Sequence, residues 1–425
     1  MSKTEIPSIR FQGFDDAWEQ RKLGDCFDFL QNNTLSRAEL SAETGAALNV
    51  HYGDILIKYG EYLDVSSEQM AYIPDQEIVD KFKGSQLADG DIIMADTAED
   101  ETVGKCSEIA GLQGKTAISG LHTIPLRPAE KFAPGFLGYY MNSGAYHDQL
   151  LPLMQGIKVT SISKNAIKNT DISFPVDITE QVAIGQYFIR LDNLITLHQR
   201  KFEKLTNVKK SMLEKMFPRN GSCYPEIRFK GFTAPWEQRK FSDLADTRRG
   251  LTYNPSNIRD SGIRVLRSSN ITEDRFTFGE EDVFVEPEAV NIPYANCGDI
   301  LITSANGSTR LVGKHTIIRE IPDNSAVHGG FMLLATAKNP EFVNALMSAP
   351  WYSRFISLYV AGGNGAIGNL NKNDLDEQDV FVPDDAEQKL IGKYFRQIDN
   401  LITLHQRELG KLQSIKKALL EKMFV

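Results

Sequence analysis

At 425 residues the chain can hold two sizeable domains, each long enough to bury a core of its own. Hydrophobic residues make up 41% and charged residues 24%, as in ordinary soluble globular proteins, and no 18-residue apolar run occurs that could span a membrane. The net charge of −9 argues mildly against a nucleic-acid partner.

The four cysteines lie far apart and form no C-x-x-C pair, so the sequence predicts neither a disulfide framework nor a zinc site. The start, MSKTEIPSIRF, has no signal-peptide core, and a cytoplasmic location is the expectation.

The opening segment, Ile9 to Asp25, mixes aromatic and charged residues and contains Trp18 followed by Glu19-Gln-Arg-Lys22. We predict that Trp18 is a buried anchor. Simple core packing is the first interpretation, and docking of a partner is the alternative. Arg21 belongs to the same string.

The first middle segment runs from about Phe27 to Ile172 and contains short apolar runs broken by Gly and Asp. Such runs between turn formers predict short strands, as in Tyr52–Gly60 and Gly90–Met94. Near the end of the segment, Phe136–Leu153 has helical spacing, and a polar loop, Gly156–Asn165, follows it.

The first closing segment, Glu180 to Phe217, predicts a long helix that Thr179 or Asp177 caps and Pro218 ends. Its 38 residues correspond to roughly 57 Å of helix. Apolar residues recur at heptad positions a, d and e, which indicates a helix-pairing face. These residues are Ile184, Leu191, Leu205 and Met212 at a; Tyr187, Leu194 and Val208 at d; and Phe188, Ile195, Phe202 and Met216 at e.

The rest of the chain repeats this plan. Glu387–Phe424 is identical to Glu180–Phe217 at 24 of 38 positions, and both contain DNLITLHQR; Pro225–Asp246 matches Pro7–Asp28 at 13 of 22. The second opening segment therefore brings Trp236 and Arg239 to the places of Trp18 and Arg21. The second middle segment, about Leu244 to Asp379, differs in its residues but has similar parts in the same order.

These repeats predict a mixed α/β (α+β) fold with an internal pseudo-two-fold repeat. Two globular domains are each followed by a long helix, and the two helices pair as an antiparallel coiled coil. We expect a first domain at 1–176, a first helix at 177–218, a second domain at 219–382 and a second helix at 383–425.

Several short sequences resemble enzyme motifs, but the residues around each one exclude the corresponding active site. Gly363–Gly368 fits G-x-G-x-x-G, but a polar loop follows where a dinucleotide fold needs a helix. Gly114-Lys-Thr116 resembles a P-loop end, but Ile109 stands where that motif needs Gly. No N-P-P-Y or D-P-P-Y string of an amino-methyltransferase occurs. We therefore predict no catalytic residue and no metal ligand in this chain.

Binding chemistry has better support, because basic, amide and hydroxyl residues recur on Gly-containing loops of both middle segments. Arg reads guanine bidentately, Asn reads adenine, and Ser and Thr hold phosphate. Solvated surface is the simpler interpretation of any single residue, but the recurrence favours the group. The candidate DNA-binding residues are Lys58, Tyr59, Lys105, Lys158, Ser161, Ser163, Lys164, Asn165, Arg248, Arg249, Tyr253, Arg267, Ser268, Asn270, Asn306, Ser308, Arg310, Asn371 and Lys372.

The two closing helices are basic: they carry 15 Lys and Arg against 8 Asp and Glu. Their repeated nonapeptide has more polar residues than a helix seam needs, so we expect its outward face to dock partner subunits. The candidate docking residues are Trp18, Arg21, Asp192, Gln199, Arg200, Trp236, Arg239, Asp399, Gln406 and Arg407.

The whole chain resembles the DNA-specificity (S) subunit of type I restriction-modification systems, and its sequence motifs are most similar to those of staphylococcal members. The resemblance covers residues 7–425 and rests on W-E-Q-R-K at Trp18–Lys22 and Trp236–Lys240, on the N-L-I-T-L-H-Q-R helices, and on L-E-K-M-F at Leu213–Phe217 and Leu420–Phe424. It implies two target-recognition domains, each reading half of a bipartite site in double-stranded DNA. Two readers on one DNA face need half-site centres roughly 34–36 Å apart.

The resemblance further implies two modification (methyltransferase) subunits around the helices, with restriction (endonuclease and translocase) subunits joining them. S-adenosylmethionine, ATP and Mg would then belong to the partners, and this chain would hold no cofactor. The alternative is a pseudo-dimeric adaptor that binds two copies of an unrelated enzyme without DNA. The divergent middle segments count against it, because a scaffold for identical partners needs no such diversity.

Overall fold

The computed structural model describes residues 6–219, 221–273, 275–360 and 368–425. The chain forms two compact units: unit 1 is Met1–Gln199 with Arg407–Val425, and unit 2 is Arg200–Gln406. Each of the two long helices contributes one segment to each unit. The domain boundaries expected at residues 176, 218 and 382 stay predictions.

Unit 1 contains twelve strands among its described residues. They are β1 (Glu19–Lys22), β2 (Phe27–Phe29), β3 (Ala47–Val50), β4 (Tyr62–Asp64), β5 (Ala71–Ile73), β6 (Ile92–Ala95), β7 (Thr97–Ala98), β8 (Cys106–Ala110), β9 (Ala117–Ser119), β10 (Thr123–Pro128), β11 (Thr160–Ser161) and β12 (Asp171–Phe174). The helices are α1 (Leu23–Cys26), α2 (Tyr52–Ile57), α3 (Gln76–Asp80), α4 (Phe136–Met141), α5 (Gly144–His147), α6 (Lys164–Ile167) and the first part of α7 (Ile178–Lys215).

Two sheets carry this unit. A five-stranded sheet has the order β2-β10-β6-β8-β4, and a three-stranded sheet has the order β5-β3-β9. Strands β1 and β12 pair antiparallel, as do β7 and β11. The predicted strand at Gly90–Met94 is confirmed as β6, whose four residues are all buried.

One local prediction is wrong. Tyr52–Ile57 is a helix and not a strand, and the His51 imidazole caps it by accepting the Gly53 N–H at 3.1 Å. A short run with few apolar residues does not distinguish the two states. The helical structure predicted at Phe136–Leu153 is confirmed, but it is divided into α4, α5 and a 3-10 turn, Leu151–Leu153. Helix α4 ends where the Asn142 amide bonds the backbone N–H and C=O of Cys106 in β8.

Unit 2 repeats this architecture. Its strands are β13 (Glu237–Lys240), β14 (Ala245–Arg249), β15 (Ile258–Arg259), β16 (Ile263–Leu266), β17 (Ile271–Thr272), β18 (Arg275–Phe276), β19 (Val283–Val285), β20 (Ile300–Thr303), β21 (Ala305–Asn306), β22 (His315–Ile317), β23 (Ala326–His328), β24 (Met332–Ala337), β25 (Gly368–Asn369) and β26 (Asp379–Val382). The helices are α8 (Pro340–Met347), α9 (Pro350–Tyr359), α10 (Lys372–Asp376), the second part of α7 and the first part of α11 (Asp385–Lys422), whose second part belongs to unit 1.

The shared fold that the sequence predicts is present in the strand pairing. Sheet β14-β24-β20-β22 corresponds to the five-stranded sheet of unit 1, and β15-β19-β16-β23 corresponds to the three-stranded one. Strand β3 runs parallel to β9, and β16 runs parallel to β23. The β13–β26 pair repeats β1–β12 in register, since Glu19 faces Phe174 and Glu237 faces Val382.

Both predicted long helices are present, and within each unit their segments run antiparallel. In unit 1, Asp192 binds Lys416 and Phe188 stacks on Phe424, with ring centroids 5.7 Å apart. In unit 2, Lys209 binds Asp399 and Phe217 stacks on Phe395 at 6.0 Å. The last residue of L-E-K-M-F therefore packs into the core of each unit in the same way. Pairing of the helices along their whole length stays a prediction.

The pairing face is narrower than the predicted a, d and e stripe. Ile184, Phe188 and Leu191 are buried, whereas the d residues Tyr187 and Leu194 are 38% and 46% exposed. In this part of α7 the buried residues follow three- and four-residue steps at positions a and e, whereas farther along the helices the d residues Val208 and Ile415 are half-buried.

A buried carboxylate gives unit 1 a pH-dependent stability. Glu108 in β8 is 3% exposed and accepts backbone N–H groups of Gly135 and Gly138 at 2.7 and 3.0 Å. Burial raises the pKa of Glu108 to about 7, although those two donors oppose the rise.

Because the folded pKa lies above that of the unfolded chain, we expect the contribution of Glu108 to the free energy of unfolding to fall as the pH rises from about 4.5 to about 7. The Glu108→Gln variant should lose this contribution, which changes by about 3 kcal/mol over that pH range. Urea unfolding of both chains at several pH values measures it.

His328 in unit 2 offers a control of opposite sign. It is fully buried, and burial lowers its pKa to about 4, so its contribution is complete above pH 6.5 and is lost as the pH falls from about 6.5 to about 4, which opposes the Glu108 contribution over much of the same range. His328→Asn should therefore make the fall in stability with rising pH steeper, whereas Glu108→Gln should leave a stability that rises with pH. An unchanged slope in Glu108→Gln would contradict the assignment.

Candidate nucleic-acid interface and partner surface

In unit 1, three chain segments meet at one edge where strands of its two sheets end. Val50 of β3 lies beside Ser119 of β9, and Thr123 of β10 lies beside Ala95 of β6. The residues next to these strand ends, together with Ser161 of β11, form a polar surface that we call the unit 1 edge. It consists of Tyr52, Asp96, Thr97, His122 and Ser161.

His122 is the centre of the unit 1 edge. Its ring lies 5.2 Å from the Tyr52 ring in an edge-to-face arrangement, and its Nδ1 is 3.3 Å from the Asp96 carboxylate and 3.4 Å from the Thr97 hydroxyl. Ser161 pairs with Thr97 through β11 and β7. The edge thus presents an imidazole, a phenol and a hydroxyl to solvent.

Unit 2 has the same edge with different chemistry. Leu266 of β16 lies beside His328 of β23, and Met332 of β24 lies beside Thr303 of β20. The residues after these strand ends are the unit 2 edge: Arg267, Ser268, Asn306 and Phe331. The Asn306 amide donates to the Ser268 hydroxyl at 3.0 Å, and Arg267 is exposed.

Most predicted DNA-binding residues reach the surface, although several also hold the fold. Ser163 caps α6, Asn371 caps α10, and the Asn306 carbonyl oxygen accepts from the Ser308 N–H. Lys58 donates to the Gln69 carbonyl oxygen, and Lys372 binds Asp376. Exposed or half-buried are Lys58, Lys158, Ser161, Ser163, Asn165, Arg249, Tyr253, Arg267, Ser268, Asn306, Ser308, Arg310, Asn371 and Lys372.

Two of the predicted DNA-binding residues, Tyr59 and Asn270, are buried, which corrects their assignment, and three more are half-buried and bonded within the fold. Tyr59 is 3% exposed, and Asn270 is fully buried with its amide bonded to Asp282 and the Thr277 carbonyl. Arg248 binds the Thr336 hydroxyl and lies 3.4 Å from the buried Asp299. Lys105 and Lys164 are half-buried and donate to the Leu56 and Leu30 carbonyls. The hydrogen bonds and ion pairs of these side chains stabilise the fold, which limits their contact with DNA.

The prediction that Trp18 and Trp236 are buried anchors is confirmed, and their burial corrects the alternative assignment of these two residues to partner docking. Trp18 and Trp236 are core residues, 5% and 3% exposed, and they pack edge-to-face on Phe136 and Phe342. Their indole faces are covered, so a partner cannot contact them in this structure.

Inside the nonapeptides, the acidic and amide groups also bind within their own unit. Asp192 accepts from Tyr139 and Lys416, Asp399 binds Lys209, and Gln406 is held by Glu273 and Arg275. Gln199 is half-buried. Arg21 and Arg239 are exposed beside Glu19 and Glu237, and Arg200 and Arg407 are exposed.

The nonapeptides expose leucines that the sequence interpretation had assigned to the seam or passed over. Leu194 and Leu197 are 46% and 45% exposed, and their copies Leu401 and Leu404 are 45% and 51% exposed. Each pair is three residues apart and therefore shares one helix face. Identical apolar faces in both copies are the strongest candidate for a repeated partner surface.

Sequence reasoning also missed His122, Tyr52 and Phe331. None of the three belongs to a basic or Gly-rich polar string, so no local pattern marks it. Alignment of the two middle segments on Gly120 and Gly329 could have found His122 and Phe331, because these two residues follow the glycines at the same distance.

Comparisons with known proteins agree with this arrangement. The family model of the type I restriction modification DNA specificity domain matches twice, at residues 15–207 and 234–414. The chain is 22% identical over 437 aligned positions to the putative type I restriction enzyme MjaX specificity subunit of Methanocaldococcus jannaschii, covering 98% of this chain and 94% of that one. It is 21% identical to the MjaVIII specificity subunit of the same organism, covering 63% of this chain and 64% of that one.

The fold also matches a solved structure, the S subunit of a type I restriction-modification system from M. genitalium. The TM-score is 0.65 at 16% identity, with 99% of each chain covered. Since the family model covers most of the chain in two copies, this protein belongs to the type I restriction-modification DNA specificity family. Among the described residues, no helix is long and apolar enough to cross a membrane.

Proposed function

We propose that this chain is the non-catalytic specificity subunit of a type I restriction-modification complex. It binds double-stranded DNA at a bipartite site, and each unit reads one half-site. One observation carries the proposal: the two units repeat one fold, down to the register of β1–β12 and β13–β26, yet place different side chains on the same edge.

The chemistry of the edges fits base recognition. Arg267, Ser268 and Asn306 in unit 2 combine a guanidinium, a hydroxyl and an amide, the groups that bind guanine, phosphate and adenine. The unit 1 edge offers an imidazole and hydroxyls in their place. Such a difference is what a protein needs to read two unlike half-sites with one fold.

The partners follow from the same proposal. Two modification subunits bind the repeated leucine faces, with Arg200 and Arg407 as polar contacts, and restriction subunits complete the complex. S-adenosylmethionine, ATP and Mg bind to those partners and not to this chain. Such complexes work on cellular DNA, so we propose a cytoplasmic location.

Arginine variants test which unit reads which half-site. We expect Arg267→Ala or Arg310→Ala to change or weaken recognition of one half-site only, because both exposed side chains belong to unit 2. Loss of one good base contact costs about 1–3 kcal/mol of discrimination. Sequencing of methylated bases in cells that express the chain with its modification subunit measures this.

The matched control is Arg396→Ala, which removes an exposed arginine from α11 that binds Glu341 and should leave the methylated motif unchanged. Equal loss of both half-sites in the Arg267 or Arg310 variant, with the complex still assembled, would contradict the assignment.

A further inference from the structure

Two three-residue turns occupy equivalent places in the units. Gly120–His122 connects β9 to β10, and Gly329–Phe331 connects β23 to β24. In each unit the first strand belongs to one sheet and the second strand to the other. Each turn therefore lies at the edge where the two sheets meet, in the middle of the surfaces described above.

The backbone of both turns is held in the same way. The Gly120 N–H donates to the Val50 carbonyl at 2.8 Å, and the Gly329 N–H donates to the Leu266 carbonyl at 2.8 Å. The last residue of each turn is also fixed: the His122 carbonyl accepts from Asp96 at 3.1 Å, and the Phe331 carbonyl accepts from Ser304 at 2.9 Å. All four bonds use backbone atoms, so none of them depends on the side chain of the third turn residue.

The third residue of each turn carries an exposed side chain. His122 has a φ of 54°, a left-handed conformation that non-glycine residues use rarely, and its imidazole is exposed beside Thr97 and Asp96. Phe331 is 72% exposed and follows two glycines. Neither side chain is required by a core, and the two differ completely in chemistry.

We infer that His122 and Phe331 are specificity-determining residues, each contacting a base of its own half-site. The inference rests on the proposed function. His122 offers ring nitrogens for hydrogen bonds to a base edge, with Thr97 and Asp96 orienting the imidazole. Phe331 offers an apolar ring for a thymine methyl group or for insertion at a base step, beside the polar contacts of Arg267 and Asn306.

This assignment explains why the backbone of the turns is fixed while their side chains differ. A residue that reads a base must be placed accurately, and it must be replaceable without loss of the fold. Backbone bonds to two neighbouring strands provide the first property. Exposure of the side chain provides the second.

The test is a set of variants in the assembled complex, with methylated bases sequenced across a genome. His122→Ala should lower methylation or change the preferred base in one half-site only, and Phe331→Ala in the other, each by roughly tenfold to a hundredfold. The variant Phe331→His, which brings the unit 1 side chain into unit 2, should alter the same half-site as Phe331→Ala. Thermal unfolding of each variant should match that of the parent, because both side chains are exposed.

Tyr224→Ala is the control, since Tyr224 is 51% exposed in the segment before β13 and outside the edges. A motif unchanged in His122→Ala, Phe331→Ala and Phe331→His would overturn the inference and leave the proposed function standing. Absence of any methylation that depends on the parent chain would overturn the proposed function itself.

Discussion

Replacement of Lys416 by methionine is expected to lower the free energy of unfolding by about 2–4 kcal/mol. Lys416 enters unit 1 from the last helix, and its ammonium binds Glu61 at 2.8 Å and Asp192 at 2.7 Å with only 16% of the side chain exposed. Tyr139 donates to the same Asp192 at 2.6 Å, and its ring lies 5.4 Å from the ammonium. Burial lowers the pKa of Lys416, but the two carboxylates outweigh this and raise it, so the side chain stays charged.

The methionine variant keeps much of the side-chain volume and leaves two carboxylates without their cation in a poorly solvated place, which is the costly part of breaking such a cluster. Chemical denaturation of the full chain measures the loss.

The chain contains its own control for this effect. Lys209 and Asp399 are the repeat equivalents of Lys416 and Asp192 and also bind at 2.7 Å, but they are 21% and 39% exposed. Lys209→Met should therefore cost about 1 kcal/mol or less. Equal losses in the two variants would show that burial and the additional contact with Glu61 do not matter.

Loss of the repeated leucine faces is expected to abolish assembly while the chain stays folded. In the Leu197→Ser/Leu404→Ser double variant, both faces lose an exposed apolar side chain that makes no contribution to a core cluster. A few residues near the centre of a protein interface contribute most of its affinity, and truncating such a hot-spot residue typically costs at least 2 kcal/mol. We expect the association constant with the modification subunits to fall at least about 30-fold per face.

Size-exclusion chromatography of the mixed subunits, followed by titration calorimetry, measures this affinity. Leu358→Ser is the matched control, because Leu358 is 71% exposed on α9 and lies outside the nonapeptides. A double variant that assembles as tightly as the parent would remove the leucines from the partner surface. Charge reversal at Arg200 and Arg407 together then examines the polar part of that surface.

The two long helices and the two Trp-containing opening segments could be predicted from the sequence, because their patterns lie within short stretches of the chain. A 38-residue helix has many turns over which apolar spacing can be recognised, and Trp18 and Trp236 mark equivalent places in two aligned strings. The exact seam could not be derived, since positions a, d and e are all apolar and only packing shows that Leu194 faces outward.

The candidate site was less accessible to sequence reasoning. Basic and amide residues on loops suggest binding, but Arg248 and Asn270 satisfy buried partners instead, and that depends on long-range contacts with Asp299 and Asp282. His122 and Phe331 become notable only when the strand ends around them are known. The string at Gly363–Ile367 lies outside the described residues.

The central claim is that one chain reads two half-sites, one with each unit. The most direct measurement is sequencing of methylated bases in cells that express a type I modification subunit with and without this chain. We predict a bipartite motif with an unspecified spacer that is methylated only when the chain is present. A continuous motif, or methylation that is the same without the chain, would contradict the account.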